Sequence, residues 1–209
     1  MPTIAPLSGA ILAGGQSQRL GQDKALLRLW GPQGPTLLEA TIALLAAVCD
    51  EVLIVTDTPH SWLDLPVRVV LDHYPGGGAL GGIYTALLEA EHPFVLTVAC
   101  DMPFLNRDVL DYMAGLPRDY DVLIPRTYAP EQRRFQFEPL HAIYGRPCLR
   151  PIQELLEQGQ RRIVRFFPHV RVRYLEEDLS HLDPAGLSFR NINTRRDLEE
   201  ALRVLSPRE

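Results

Sequence analysis

The alternation of short apolar runs with longer segments of helical period limits the fold of this chain more than any other property of its sequence. Apolar runs of strand length lie at 7–12, 51–55, 67–71, 94–99, 121–125, 140–144 and 170–175. Segments typical of helices lie at 36–48, 82–91, 106–113, 147–158 and 194–205. This order predicts βαβ units around a mostly parallel sheet. We expect one Rossmann-like, doubly wound α/β domain over residues 1–209, because no repeat, low-complexity stretch or long linker divides the chain.

The composition disfavours several classes of protein. A net charge of −5 argues against a broad nucleic-acid-binding surface, so any bound phosphate must be held by a local site. No apolar run reaches the roughly 18 residues that span a bilayer, and residues 1–4 lack the basic start of a secretion signal. Three cysteines without a CxxC pair favour a reducing compartment. We therefore expect a cytoplasmic protein with no nucleic-acid or membrane partner.

A glycine-rich loop follows the first predicted strand, where residues 12–24 read LAGGQSQRLGQDK. Its three glycines allow backbone N–H groups to approach an anion closely, and Arg19 and Lys24 add positive charge. The GxxxxGK[ST] pattern of a Walker A loop does not fit this segment. The two interpretations are an anion-binding loop and a turn with two solvated bases.

Lys24 is the only lysine among the 21 basic residues of the chain. Lysine carries a compact point charge, whereas arginine presents a wide planar fork. A crowded triphosphate pocket suits the compact group, so this composition supports a phosphate-binding role for Lys24.

A second glycine-rich stretch, residues 76–82, comes shortly after the third predicted strand and Asp72. Gly76, Gly78 and Gly81 have the spacing of a dinucleotide-binding fingerprint. Four residues nevertheless separate them from the strand, and Asp72 is not at the distance beyond the glycines that the fingerprint requires. A tight strand-to-helix turn is therefore favoured over the site of a nicotinamide-dependent dehydrogenase.

Asp101 follows the most apolar predicted strand, at the carboxyl end where open α/β sheets bind their ligands. A carboxylate at this place is suited to Mg2+, which prefers oxygen ligands. The alternative is that Asp101 caps the turn before Pro103. Cys100 has no basic neighbour in the sequence, so we expect a small buried residue rather than a nucleophile.

Four motifs in order resemble those of the molybdenum cofactor guanylyltransferases, the enzymes that make molybdopterin guanine dinucleotide. They are LAGGxSxRxGxxK at 12–24, an aspartate followed by glycines at 72–82, CDxPF at 100–104 and NxNT at 191–194. Ala79 and Arg195 stand where this family usually has proline. The resemblance implies the nucleotide-diphospho-sugar transferase type of fold. It also implies GTP and molybdopterin as substrates, Mg2+ as cofactor, and transient contact with molybdoenzymes or cofactor chaperones.

The resemblance assigns roles to individual residues. Catalytic roles are implied for Lys24, Arg19 and Asp101, of which Asp101 also carries the metal. Contacts with the nucleotide are implied for Leu12, Ala13, Gly14, Gly15, Lys24, Asp72 and Asp101. Contacts with the acceptor are implied for Gly78, Gly82, Asn191 and Asn193.

Three further residues are less specific. Arg161 and Arg162 follow a glycine and either grip the phosphate of the acceptor or lie on a solvated face. His141 stands between apolar neighbours, a setting more typical of a hydrogen-bonded core histidine than of a catalytic one.

The implied reaction transfers GMP from GTP to the terminal phosphate of molybdopterin and releases pyrophosphate. A phosphate monoester is largely dianionic at neutral pH, since its second pKa is near 6, and it needs no protein base. Catalysis would then depend on alignment and charge stabilisation. A cytidylyltransferase or sugar-phosphate nucleotidyltransferase, and a non-catalytic pterin carrier, remain alternatives.

Overall fold

The computed structural model describes residues 5–14, 23–58, 65–129, 134–176 and 179–205. The strands are β1 Leu7–Leu12, β2 Glu51–Thr56, β3 Arg68–Leu71, β4 Phe94–Ala99, β5 Val122–Ala129, β6 Arg134–Phe137, β7 His141–Gly145 and β8 Val172–Leu175. The α-helices are α1 Leu37–Ala46, α2 Gly78–Glu89, α3 Arg107–Gly115, α4 Leu149–Glu157 and α5 Arg195–Leu205.

All of these strands belong to one sheet, with the order β3-β2-β1-β4-β7-β5-β6 and with β8 paired to β5. Strands β1 to β4 are mutually parallel, and β5 and β8 point in the same direction. Only β7, between β4 and β5, and β6, beside β5, run antiparallel among the described strands. The prediction of a mostly parallel, Rossmann-like α/β sheet is confirmed. That residues 1–209 form a single domain stays a prediction.

Helices cover both faces of the sheet because side chains alternate along each strand. Ala10 and Leu12 of β1 pack in a buried cluster with α2 and α4, while Ile11 packs with α1 and α3 on the other face. The long apolar run of β4 divides in the same way, with Val95 on the first face and Leu96 on the second. The sheet is therefore doubly wound, as predicted.

The helix starts follow from local sequence. Thr36 and Glu39 form a reciprocal capping box at α1, and the Asn106 side chain accepts two backbone N–H groups at the start of α3. At α5 the Asp197 carboxylate accepts the N–H of Thr194 at 2.7 Å, and the Thr194 hydroxyl accepts the N–H of Asp197 at 3.2 Å. None of the described helices is long and apolar enough to cross a membrane.

Two elements differ from the sequence prediction. Helix α2 begins at Gly78, whereas the sequence predicted a start at residue 82. Most of the second glycine-rich stretch therefore belongs to the first turn of the helix. The short strand β6 was not predicted, although its four residues, RFQF, alternate polar and apolar side chains as a half-exposed strand does.

Candidate active site

A cavity of about 350 Å³ opens at the carboxyl ends of β1, β2 and β4. Its wall also includes the turn before α2 and the segment that leads into α5. Most of the residues predicted for the site line it, namely Leu12, Gly14, Asp72, Gly78, Gly82, Asp101, Asn191 and Asn193. A cavity at this end of the sheet agrees with the position of ligand sites in open α/β proteins.

Lys24 joins two of these lining residues. Its ammonium lies 2.8 Å from Asp101 Oδ2 and donates a further hydrogen bond to Asn193 Oδ1 at 3.1 Å. The Lys24 and Asp101 side chains are only 14% and 16% exposed, so water screens this ion pair less than it screens a surface pair. The lysine of the first loop and the aspartate after β4 thus meet at one cleft.

A small apolar cluster explains why segments so distant in sequence come together. It consists of Leu27, Leu29, Leu37, Ile192 and Ala201, all buried. Lys24 lies in a short 3-10 turn just before this cluster, and the Asp23 carboxylate caps the turn through the Ala25 N–H at 3.0 Å. Ile192 lies between Asn191 and Asn193, and its N–H donates to the Asp101 carbonyl at 2.9 Å. The cluster therefore places Lys24, Asp101 and both asparagines at the same edge of the sheet.

Two side-chain oxygen atoms of the site are buried. Asp101 Oδ1 and Asn191 Oδ1 are inaccessible to solvent and have no hydrogen-bond partner among the described residues. Carboxylate and amide oxygens are ligands suited to Mg2+, which normally binds one or two carboxylates and completes its shell with phosphate oxygens and water. The described residues contain no cluster of three His, Cys, Asp or Glu side chains. These oxygens fit a cation of this kind only if substrate and water supply its remaining ligands.

The Asp72 side chain shapes the turn that borders the cavity. Its Oδ1 accepts the Tyr74 N–H at 3.0 Å and the Thr85 hydroxyl at 2.8 Å. Gly77 is required next to it, because a Cβ at that position would lie 2.8 Å from the Tyr74 carbonyl oxygen. The structure supports the interpretation of a tight strand-to-helix turn, and Asp72 anchors that turn.

Two predicted glycines face the cavity at this turn. Gly78 has a φ of +62°, which disfavours any residue with a side chain. A Cβ at Gly82 would lie 3.1 Å from Leu12 Cδ1. The backbone conformation of Gly78 thus forms the turn into α2, and Gly82 lets α2 pack close to the end of β1.

Not every predicted residue reaches the cavity. The Ala13 N–H donates to Val55, and its carbonyl accepts the Thr56 hydroxyl, so both backbone groups of Ala13 are already used. Arg161 and Arg162 lie on an exposed turn after α4 and do not line the cavity. Gly15 and Arg19 lie outside the described residues.

Among the lining residues that sequence reasoning missed are two with polar side chains, Thr56 and Asp57, at the carboxyl end of β2. The rule that pointed to Asp101 would have found them, since β2 is parallel to β1 and ends at the same edge.

Cys100 and His141 lie near the site without contributing a reactive group. Burial raises the pKa of the Cys100 thiol to about 12, which argues against a nucleophile, as expected. His141 pairs with Val98 near the end of β4, and its ring packs edge-on against Phe189 at 4.7 Å. The ring is fully buried, as expected of a core residue. The expectation of hydrogen-bond partners is met only in part: neither ring nitrogen has a partner of normal geometry among the described residues, while the Ser188 backbone interacts with the ring.

A doubly wound sheet with a cavity at the carboxyl ends of its central strands, lined by carboxylate, amide and glycine residues, is typical of α/β proteins that bind nucleotides. Within that class the sequence is specific. The chain belongs to the family of the MobA-like NTP transferase domain, whose model matches residues 9–174. This match agrees with the predicted type of fold and leaves no support for the dehydrogenase interpretation.

Curated relatives match nearly the full length. The chain is 41% identical over 205 residues to a probable molybdenum cofactor guanylyltransferase of Chloroflexus aggregans, with 95% of each chain covered. It is 35% identical over 197 residues to the molybdenum cofactor guanylyltransferase of Desulfosudis oleivorans, with 93% of this chain and 94% of the relative covered. The crystal structure of molybdopterin-guanine dinucleotide biosynthesis protein A from Archaeoglobus fulgidus is 27% identical. It superposes with a TM-score of 0.79 over 94% of this chain and 97% of that one.

Proposed function

We propose that the protein transfers GMP from GTP to the terminal phosphate of molybdopterin, releasing pyrophosphate and forming molybdopterin guanine dinucleotide. The observation that carries the proposal is the meeting of Lys24 and Asp101, 2.8 Å apart, at a cavity bordered by two glycine-rich segments. The names of two relatives, a probable molybdenum cofactor guanylyltransferase that is 41% identical and a molybdenum cofactor guanylyltransferase that is 35% identical, support this choice of substrates.

In this proposal an oxygen of the acceptor phosphate attacks the α-phosphorus of GTP, and the bond from that phosphorus to the β-phosphate oxygen breaks. The acceptor needs no general base, because a phosphate monoester is mostly dianionic at neutral pH. The protein accordingly has to align two anions that repel each other and to offset their charge. Lys24 does so for the triphosphate, and the backbone at Leu12 and Gly14 borders the nucleotide.

Asp101 Oδ1 and Asn191 Oδ1 would hold Mg2+, which supplies charge neutralisation to the reacting phosphates when bound. Asn193, which is already bonded to Lys24, faces the acceptor together with Gly78 and Gly82. The proposed contacts of Gly15 and Arg19 with the nucleotide, and of Arg161 and Arg162 with the acceptor phosphate, stay predictions from the sequence. Transient contact with molybdoenzymes or cofactor chaperones, and a cytoplasmic location, belong to the same proposal.

The test compares steady-state turnover of purified variants. Asp101→Asn and Lys24→Ala should each lose turnover by orders of magnitude while their thermal melts stay close to that of the wild type. Asp111→Asn is a matched control, because this carboxylate lies on the exposed side of α3 in a surface pair with Arg107. Near-normal turnover in either site variant would refute the role assigned to that residue.

A screen of the four NTPs separates this proposal from the other nucleotidyltransferases. In the presence of Mg2+, GTP at about 100 times its Kd should stabilise the protein by about 2.7 kcal/mol. At equal concentration ATP, CTP and UTP should stabilise it less. Stronger stabilisation by CTP would favour the cytidylyltransferase alternative, whereas a pterin carrier would release no pyrophosphate from GTP and molybdopterin.

A further inference from the structure

The two oxygens of the Asp101 carboxylate have different surroundings. Oδ2 is paired with the Lys24 ammonium at 2.8 Å, while Oδ1 is buried and has no hydrogen-bond partner among the described residues. The charge of Asp101 is therefore already balanced by a cation that belongs to the protein. The other oxygen is left for a ligand.

A second hydrogen bond also holds Lys24 in this position. Its ammonium also donates to Asn193 Oδ1 at 3.1 Å, and the N–H of Asn193 donates to Asp197 Oδ2 at 2.8 Å. Asp197 also caps the start of α5, so the asparagine is fixed to a helix. Lys24 thus bridges the aspartate after β4 and the segment before α5.

A divalent cation that binds Asp101 alone must share the carboxylate with this ammonium. The two cations repel each other at short range, and the low exposure of the site weakens the screening by water. Nucleotide phosphates change the balance, because they offer Lys24 another anionic partner and offer the metal further oxygen ligands.

We propose that Lys24 serves as the internal counter-ion of Asp101 in the nucleotide-free protein, so that a divalent metal binds Asp101 only when nucleotide phosphates draw Lys24 away. This inference deepens the proposed function and rests on it, since it takes Asp101 as the metal ligand. Its consequence is an order of assembly in which the metal site is completed by the substrate and is weak without it.

The test measures Mn2+ binding without nucleotide by the EPR signal of the free ion. The variant Lys24→Met removes the ammonium and keeps an unbranched side chain. It should bind Mn2+ at least about tenfold more tightly than the wild type, within the range of ordinary coupling between sites. The gain should disappear in the double variant Lys24→Met/Asp101→Asn. Arg150→Met is the charge-matched control, because Arg150 is 89% exposed on α4, and it should bind Mn2+ as the wild type does.

Equal Mn2+ affinity of wild type and Lys24→Met would overturn the inference, and so would a gain that persists in the double variant. If the wild type did not transfer GMP at all, the proposed function would be refuted, while the Mn2+ affinities would be unaffected. The two failures are therefore distinguishable.

A second readout keeps the test decisive if Lys24→Met does not fold. Lys24 is the only lysine, so peptide mapping after mild acylation reports the accessibility of its amine in the otherwise unaltered protein. Asp101→Ala removes the partner at 2.8 Å and should raise the acylation rate of Lys24 several-fold in the absence of nucleotide. An unchanged rate would show that Asp101 does not restrain Lys24, which contradicts the inference.

Discussion

Mild acid should destabilise this protein through His141. Burial of the ring lowers its pKa from the ordinary value of 6.5 to about 4, and the Ser188 backbone and the Asp183 carboxylate oppose this effect only in part. The folded protein therefore keeps His141 neutral at a pH where the unfolded chain already protonates it.

The sign and size follow from linkage. Between pH 6.5 and about 4 the unfolded chain binds one more proton at this site, so the free energy of unfolding falls as the pH is lowered. From pH 7.5 to pH 5 the expected loss from His141 is roughly 2 kcal/mol, and it approaches roughly 3 kcal/mol below pH 4.

The assay is urea unfolding, followed by circular dichroism, of the wild type and of His141→Leu at pH 7.5 and pH 5.0 at constant ionic strength. Leucine has a similar volume, is apolar and does not titrate. The wild type should lose about 2 kcal/mol more than the variant between the two pH values. Equal losses would refute the claim that His141 is buried and neutral in the folded protein.

Three further substitutions test single contacts of the fold, one of them in the turn that borders the site. The Asp121 carboxylate accepts the backbone N–H of Arg171 and two hydrogen bonds from its guanidinium group. Asp121→Asn should lower the free energy of unfolding, measured in urea, by roughly 1–2 kcal/mol. The loss is modest because Arg171 is mostly exposed. Gly77→Ala puts a Cβ 2.8 Å from the Tyr74 carbonyl oxygen, so calorimetry should show destabilisation of about 1–3 kcal/mol together with weaker stabilisation by GTP. Thr36→Ala removes the cap of α1 and should lower stability by about 1 kcal/mol in the same urea assay, with turnover unchanged.

The sequence predicted most of the fold because the strands that build it are continuous apolar runs. It could not predict that β7 lies antiparallel between β4 and β5, since an apolar run carries no information about strand direction. The side chains of β1 and β4 point alternately to the two faces of the sheet, and both sets are apolar because helices cover both faces.

Residues that line the cavity could be predicted where motifs coincide with strand ends, as at Asp101 and Asp72. The bond from Lys24 to Asn193 spans 169 positions and depends on the small cluster around Ile192, which no local pattern indicates. The surroundings of the His141 ring were equally unpredictable, because they depend on how the 183–189 segment lies over the start of β7.

The proposed reaction breaks the bond between the α-phosphorus of GTP and the β-phosphate oxygen, and it joins the α-phosphorus to an oxygen of the acceptor phosphate. The direct measurement incubates the protein with molybdopterin, Mg2+ and GTP labelled either at the α- or at the γ-phosphate. We expect the α-label in the dinucleotide product and the γ-label in pyrophosphate, in equal amounts. Release of the γ-label as inorganic phosphate, with the α-label left in GDP, would contradict it.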